Sequence, residues 1–161
     1  MKTLFLVRHA KSSRDDPSVP DRERPLNERG LHDAPMMGQR LSRSGVKPDR
    51  IVSSPARRAL TTAQLIADAI GYPRQDIVID GSIYESSPER LLAVIRGLDD
   101  KLSCVMVFGH NPEFAELTHR LAPEVTEMPT CAVAEFRFDG AAWADVGVLD
   151  PAKVKFDTPK R

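Results

Sequence analysis

Three short apolar runs, far apart in this chain, each give way to arginine or histidine where the apolar stretch stops. Met1-Lys2-Thr3-Leu4-Phe5-Leu6-Val7 leads straight into Arg8-His9. Ile51-Val52-Ser53 leads into Ser54-Pro55-Ala56-Arg57-Arg58-Ala59. Val105-Met106-Val107-Phe108 leads into Gly109-His110-Asn111-Pro112-Glu113. Brief, nearly continuous apolar runs are the pattern of strands covered on both faces of a parallel sheet. Open α/β sheets collect ligands at the carboxyl ends of such strands. Three strand ends carrying Arg and His therefore predict one convergent, positively charged pocket.

The segments between the runs have helical spacing. Asn27 is a suitable N-cap for a helix with Leu31, Ala34, Met37, Gly38 and Leu41 on one face, and Pro35 inside it predicts a kink or a restart. Ser54-Pro55 has the form of an N-cap followed by proline at the first helical position, before a stripe of Leu60, Ala63, Ile66, Ala67 and Ile70 that stops at Gly71. A short strand near Ile77-Val78-Ile79 follows. Ser87-Pro88 repeats the cap ahead of Leu91, Leu92, Ile95 and Leu98, and Asn111-Pro112 repeats it ahead of Phe114, Leu117 and Leu121. Such alternation predicts an α/β protein with three layers, αβα, around a mostly parallel mixed sheet. Ala132–Phe138 and Ala142–Leu149 alternate with period two around Asp139-Gly140, which predicts an antiparallel C-terminal hairpin. Residues 13–25 have no apolar period and are expected as surface loop, and 150–161 as a loose polar tail. At 161 residues the chain is expected to form one domain, 1–161.

Charge narrows the function. Lys+Arg and Asp+Glu both number 23, which argues against nucleic-acid or anionic-membrane partners. No apolar run approaches the eighteen or so residues of a membrane helix, and the opening stretch lacks a signal-peptide cleavage pattern. Cys104 and Cys131 have no CxxC spacing and fit free thiols of a reducing, cytoplasmic setting. His9, His32, His110 and His119 show neither HxH nor HExxH spacing, so neither a metal nor another cofactor is expected.

Arginine is a permanent forked cation matched to phosphate oxygens, and helix N-termini add unpaired N–H groups. A neutral imidazole among cations keeps a depressed pKa and stays nucleophilic. On this reading His9 attacks phosphorus while Arg8, His110 and the Arg57-Arg58 pair supply charge and hydrogen bonds. The second nitrogen of His9 then needs a carbonyl or carboxylate to fix its tautomer. Taken singly each residue has a plainer role: His110 as a core histidine, Arg57 and Arg58 as a solvated helix face, Asn111 as a cap.

Leu6-Val7-Arg8-His9-Ala10 resembles the RHG-type signature of the histidine phosphatase superfamily, with Ala10 where glycine is common. Ser53-Ser54-Pro55-Ala56-Arg57-Arg58-Ala59 resembles the second motif of that family, and its arginine falls on Arg58. Phe108-Gly109-His110-Asn111-Pro112 resembles the second-histidine motif, and Leu26-Asn27-Glu28-Arg29-Gly30 the Leu-x-x-x-Gly stretch before the first helix. The short chain is most similar to small SixA-type phosphohistidine phosphatases. The resemblance implies a phosphoglycerate mutase-like fold and metal-independent hydrolysis through a phosphohistidine on His9. Arg8, Arg58 and His110 would hold the phosphoryl oxygens, and Asn111 is a further candidate donor. Arg24 is either a peripheral contact or a solvent-exposed arginine. Glu85, by chain position, is the candidate proton donor, ahead of Asp15 and Asp16. The implied partner is a phosphorylated protein carrying phosphohistidine, or a small phosphorylated substrate, and a phosphate or sulfate ion is expected to fit the site. The competing readings are a small-molecule phosphomonoesterase, a mutase of the same superfamily, a metal enzyme and a non-catalytic phosphate-binding module.

Overall fold

The computed structural model describes residues 1–160. Six strands form one sheet: β1 (Lys2–Arg8), β2 (Arg50–Ser53), β3 (Val78–Ile79), β4 (Cys104–Gly109), β5 (Val133–Phe138) and β6 (Lys153–Asp157). Their order across the sheet is β3-β2-β4-β1-β5-β6. The first four run parallel, while β5 is antiparallel to β1 and β6 antiparallel to β5. Four helices connect them: α1 (Glu28–Arg43), α2 (Arg57–Ile70), α3 (Pro88–Arg96) and α4 (Glu113–Leu121).

The apolar runs have the predicted cause. Leu4, Leu6, Val105 and Val107 point into one core with Leu91 and Ile95 of α3 and Phe114 and Leu117 of α4. Phe5, Val7, Met106 and Phe108 point the other way, into a second core with Met37 of α1 and Ile66 of α2. Every residue from Leu4 to Val7 and from Val105 to Phe108 is therefore buried. This is the three-layer αβα arrangement.

Local signals resolve in three ways. Asn27 caps α1 by accepting from the Gly30 N–H at 2.9 Å, and Ser87 caps α3 by accepting from Arg90 N–H at 3.1 Å. Gly71 ends α2 in the left-handed region at φ 79°. In α1 the buried face is Gly30, Asp33, Ala34, Met37 and Gly38, while Leu31 is half-exposed. The helix also runs unbroken through Pro35. The carbonyl that proline leaves unbonded belongs to Leu31, on the wet side, where water can serve it.

The antiparallel C-terminal pair is present, but its second strand is not Ala142–Leu149. The partner of β5 is β6, with Phe136 opposite Val154 and Ala134 opposite Phe156. The expected loose tail over 150–161 is thus overturned for the described residues, since Lys153–Asp157 is a strand, and residue 161 lies outside the described residues. Ala142–Leu149 forms no ladder and contains a short 3-10 turn at Trp143–Asp145. The reason is Trp143, which is wholly buried and donates its indole N–H to the Leu102 carbonyl at 3.0 Å. A buried tryptophan needs both an apolar pocket and an acceptor. Plugging the end of the core supplies both, whereas a two-stranded ladder in solvent supplies neither.

Candidate active site

Register gathers the three motifs. Arg8 lies opposite Gly109 across the β1–β4 pair, and Ser53 opposite Phe108 across β2–β4. The His9 N–H donates to the Gly109 carbonyl at 2.9 Å, and the Ser54 N–H to the Phe108 carbonyl at 3.0 Å. His9 and His110 end with ring centroids 5.3 Å apart. Gly109 makes this possible: a Cβ there would lie 2.4 Å from the Phe114 ring.

A turn after β1 aims His9. Its carbonyl accepts from Cys131 N–H at 3.0 Å. The Ala10 N–H donates to Thr62 Oγ1 at 3.0 Å, and the Thr62 hydroxyl donates to the Arg58 carbonyl at 2.7 Å. One hydroxyl thus ties the turn after His9 to the start of α2. Gly30 packs from the other side, where a Cβ would meet the Lys11 carbonyl at 2.2 Å.

The tautomer of His9 follows from geometry. Nδ1 lies 2.7 Å from the Ala10 carbonyl. A carbonyl only accepts, so Nδ1 carries the proton and Nε2 keeps its lone pair. Burial pushes the pKa of this imidazole down to about 3; the Ala10 carbonyl opposes that, and His110, Arg58 and Arg8 add to it. His110 is held down to about 4, first by burial and then by Arg58. Its Nε2 lies 2.7 Å from Ser54 Oγ, which already accepts from Ala56 N–H at 3.2 Å. The Ser54 hydroxyl hydrogen then finds its acceptor in Nε2, which leaves the His110 proton on Nδ1.

That Nδ1 has no partner. Among the described residues, the buried side-chain N and O atoms without a hydrogen bond are His110 Nδ1, Arg8 Nε and Arg58 Nε. Stranding a buried donor costs about 1–3 kcal/mol. Here the stranded atoms fall on three side chains that wall a single cavity of about 520 Å³, together with His9, Arg24 and Asn111. The cavity is thus walled by cationic and N–H-bearing side chains, a chemistry suited to an anion. A metal cation would meet guanidinium groups there.

Comparison with known proteins agrees. The family model of the histidine phosphatase superfamily (branch 1) matches residues 4–91. The chain belongs to the histidine phosphatase superfamily. It is 31% identical over 156 residues to an uncharacterized chloroplastic protein of Arabidopsis thaliana, covering 92% of this chain and 72% of that one. It is 30% identical over 165 residues to an uncharacterized protein of Mycobacterium tuberculosis, covering 96% of this chain and all of that one. The crystal structure of SixA from Agrobacterium tumefaciens superposes with a TM-score of 0.77 at 28% identity, over 84% of this chain and 90% of that one. The histidine phosphatase is thus SixA-like in fold and a phosphatase in class.

Within this histidine phosphatase, the sequence candidates fare unequally. Arg8, His9, Arg58 and His110 meet at the cavity. Arg24 is buried rather than solvent-exposed. It is drawn in because it pins both ends of the 13–25 loop, reaching Ser12 Oγ at 2.7 Å, the Ser13 carbonyl at 3.2 Å and Asp21 Oδ1 at 3.1 Å. Asn111 lines the cavity, but its amide is engaged at both ends. Nδ2 donates to the Met128 carbonyl at 2.9 Å and Oδ1 accepts from Ala115 N–H at 3.2 Å. Since Arg8 Nη1 donates to that same Met128 carbonyl at 3.1 Å, Asn111 positions the group that holds Arg8. Glu85 is exposed, with φ 51°, and is not among the cavity residues. Ser54 holds His110 instead of capping α2, which starts at Arg57 after Ala56.

Asp21 and Tyr84 carry no local mark in the sequence, yet both stand at the site. Asp21 Oδ2 accepts from Tyr84 O–H at 2.7 Å and from Arg58 Nη2 at 3.1 Å, and the Asp21 carbonyl accepts from Arg58 Nη1 at 2.7 Å. The Tyr84 ring stands edge-on to His110, centroids 5.7 Å apart. The Tyr84 hydroxyl, then the Arg24 and Arg58 guanidiniums, hold the Asp21 carboxyl well below the usual carboxylate range. Asp21 therefore stays charged, cannot deliver a proton near neutrality, and serves to aim Arg58.

Buried neutral histidines leave a signature in stability. Free histidine titrates near 6.5, whereas His9 and His110 titrate at about 3 and about 4 in the folded protein. Between those values the unfolded chain binds protons that the folded one refuses. Stability is thus fully present above about pH 6.5 and falls with pH until the folded pKa values are passed. A tenfold difference in proton affinity between the two states is worth about 1.4 kcal/mol, so a loss of a few kcal/mol is expected between about pH 7 and pH 4.5. Asp21 does not contribute in that window, because its stabilisation is lost only below the ordinary aspartate pKa. Thermal unfolding should show Tm falling across this range, with His110→Gln shallower. Sulfate, dianionic throughout, should restore part of the loss. A flat Tm would contradict the assignment.

Proposed function

We propose that this phosphatase hydrolyses phosphohistidine on a protein, through a covalent phosphohistidine on His9. In the first step His9 Nε2 forms the new P–N bond while the bond from phosphorus to the leaving imidazole breaks. Both electrons of that bond go to the departing ring, which takes a proton from water. His9 becomes cationic as it attacks, and the Ala10 carbonyl already at Nδ1–H stabilises that charge without reorganisation. Arg8, Arg58 and His110 Nδ1–H take the phosphoryl oxygens. In the second step water attacks phosphorus, the P–Nε2 bond breaks, and phosphate leaves with the lone pair back on Nε2.

The observation that carries this reading is the cavity that gathers His9, its Nδ1 engaged and its Nε2 free, beside Arg8, Arg58 and His110. Support for the substrate class comes from the acid side. Glu85 is not at the cavity, Asp21 is held as a carboxylate, and the other carboxyl that lines the cavity, Asp15, lies exposed on the 13–25 loop, so among the described residues no buried acid faces the leaving group. An imidazole leaving group needs less acid help than an alkoxide. The neighbour at 28% identity also bears the name phosphohistidine phosphatase.

The test compares kcat/KM for a phosphohistidine peptide, a phosphoserine peptide of the same sequence, and p-nitrophenyl phosphate. The phosphohistidine peptide should exceed the phosphoserine peptide by about 100-fold or more. Rapid quench should trap an acid-labile, alkali-stable label on His9. Equal rates on the two peptides would remove the substrate assignment, and absence of the label would remove the covalent step.

A further inference from the structure

A second cavity, about 240 Å³, adjoins the catalytic one: Lys11 and Thr130 line both. Its other walls include Arg29, Asp33, Thr158 and Lys160. With Lys11, three of the lining side chains are cations, and one, Asp33, is a carboxylate. Asp33 is buried and already engaged: Arg29 Nε lies 3.1 Å from each of its oxygens, and His32 Nδ1 lies 3.2 Å from Oδ1. Arg29 spends one nitrogen there and keeps both terminal amino groups. Lys11 and Lys160 have no carboxylate partner among the described residues.

This charge is local. The whole chain carries 23 basic and 23 acidic residues, so three cations around one carboxylate beside the active site are not the by-product of a basic protein. Cations that outnumber their counter-ions in one cavity repel one another, and their repulsion is relieved by a further anion. Because the two cavities share a wall, one molecule can reach both, with its phosphoryl group in the first.

We propose that the Lys11–Arg29–Lys160 cavity is a subsite for a carboxylate on the leaving-group side of the substrate. Resting on the phosphohistidine reading, the carboxylate is that of an acidic side chain close in sequence to the phosphorylated histidine. A carboxylate of a small phosphorylated molecule has the same chemistry, and the experiment separates the two sources.

Two phosphohistidine peptides are compared, one with glutamate and one with glutamine flanking the phosphorylated residue. Phenyl phosphate and carboxyphenyl phosphate form a second pair that does not depend on the protein-substrate reading. Lys160→Glu reverses one charge in the second cavity without touching the catalytic one. In the unaltered enzyme the glutamate peptide should have a kcat/KM about 5- to 10-fold above the glutamine peptide, through KM, and salt should erode the difference. In Lys160→Glu that ratio should fall to about one or invert, while phenyl phosphate turnover is unchanged. If neither peptide is hydrolysed but the aryl phosphates are, the phosphohistidine reading fails. In that case a carboxyphenyl preference lost in Lys160→Glu upholds the subsite with a small-molecule occupant. No carboxylate preference in either pair, or a preference that Lys160→Glu leaves intact, overturns the subsite itself.

Discussion

Replacing His9 by alanine is expected to reduce turnover by about 10⁴-fold or more, as losses of covalent nucleophiles do. One nitrogen is responsible. Nε2 of His9 is the free lone pair at the cavity, kept unprotonated by burial and by the neighbouring cations. The other imidazole, His110, has its Nε2 engaged by Ser54 Oγ and its Nδ1 buried. No second base of the right kind stands ready. Phosphate or sulfate should still bind to His9→Ala, since Arg8, Arg58 and His110 remain, and that separates lost chemistry from a lost site. The substitution should also flatten part of the acid loss of stability, because it removes a group that folding forces to stay neutral. Turnover within about tenfold of the unaltered enzyme would end the covalent mechanism.

What the chain discloses in advance follows a physical division. β1 and β4 were legible because both their faces are covered, which forces four apolar residues in a row and leaves no doubt where each strand stops. The residue after a strand end lies on the sheet edge whatever the loops do, so His9 and His110 could be placed together from position alone. Caps were legible where the cap had no other duty, as at Asn27 and Ser87. Ser54 looked like one more cap, but a histidine 56 residues away claimed its hydroxyl. Asp21 and Tyr84 meet across 63 residues, and nothing local marks either. The hairpin misreading has the same root. Both Ala142–Leu149 and Lys153–Asp157 alternate, and only the core cavity that Trp143 fills decides which pairs with β5. Asp157 and Lys155 on β6 keep the edge strand charged, which made the segment look like a solvated tail.

Arg58→Ala should be the second largest effect, a loss of about 10²–10³-fold in kcat/KM, the range seen when one preorganised donor to a developing charge is removed. Arg58→Lys should recover little. A guanidinium can bond the Asp21 carbonyl, the Asp21 carboxylate and a phosphoryl oxygen at once, whereas an ammonium is a point charge without that fork. The two substitutions also differ in a readout that chemistry does not move. Arg58 is, after burial, the next cause of the depressed His110 pKa. Removing its charge in Arg58→Ala should let the His110 pKa rise, while Arg58→Lys, still cationic, should raise it less. NMR titration of the imidazole carbons measures this directly. Asp21→Asn completes the set. It keeps Arg58 and its charge but weakens the carboxylate that aims it, so KM should rise by several-fold while the His9 adduct still forms. If Asp21→Asn instead abolished the adduct, Asp21 would have to act on the reacting atoms themselves, and its place as the residue that aims Arg58 would be wrong.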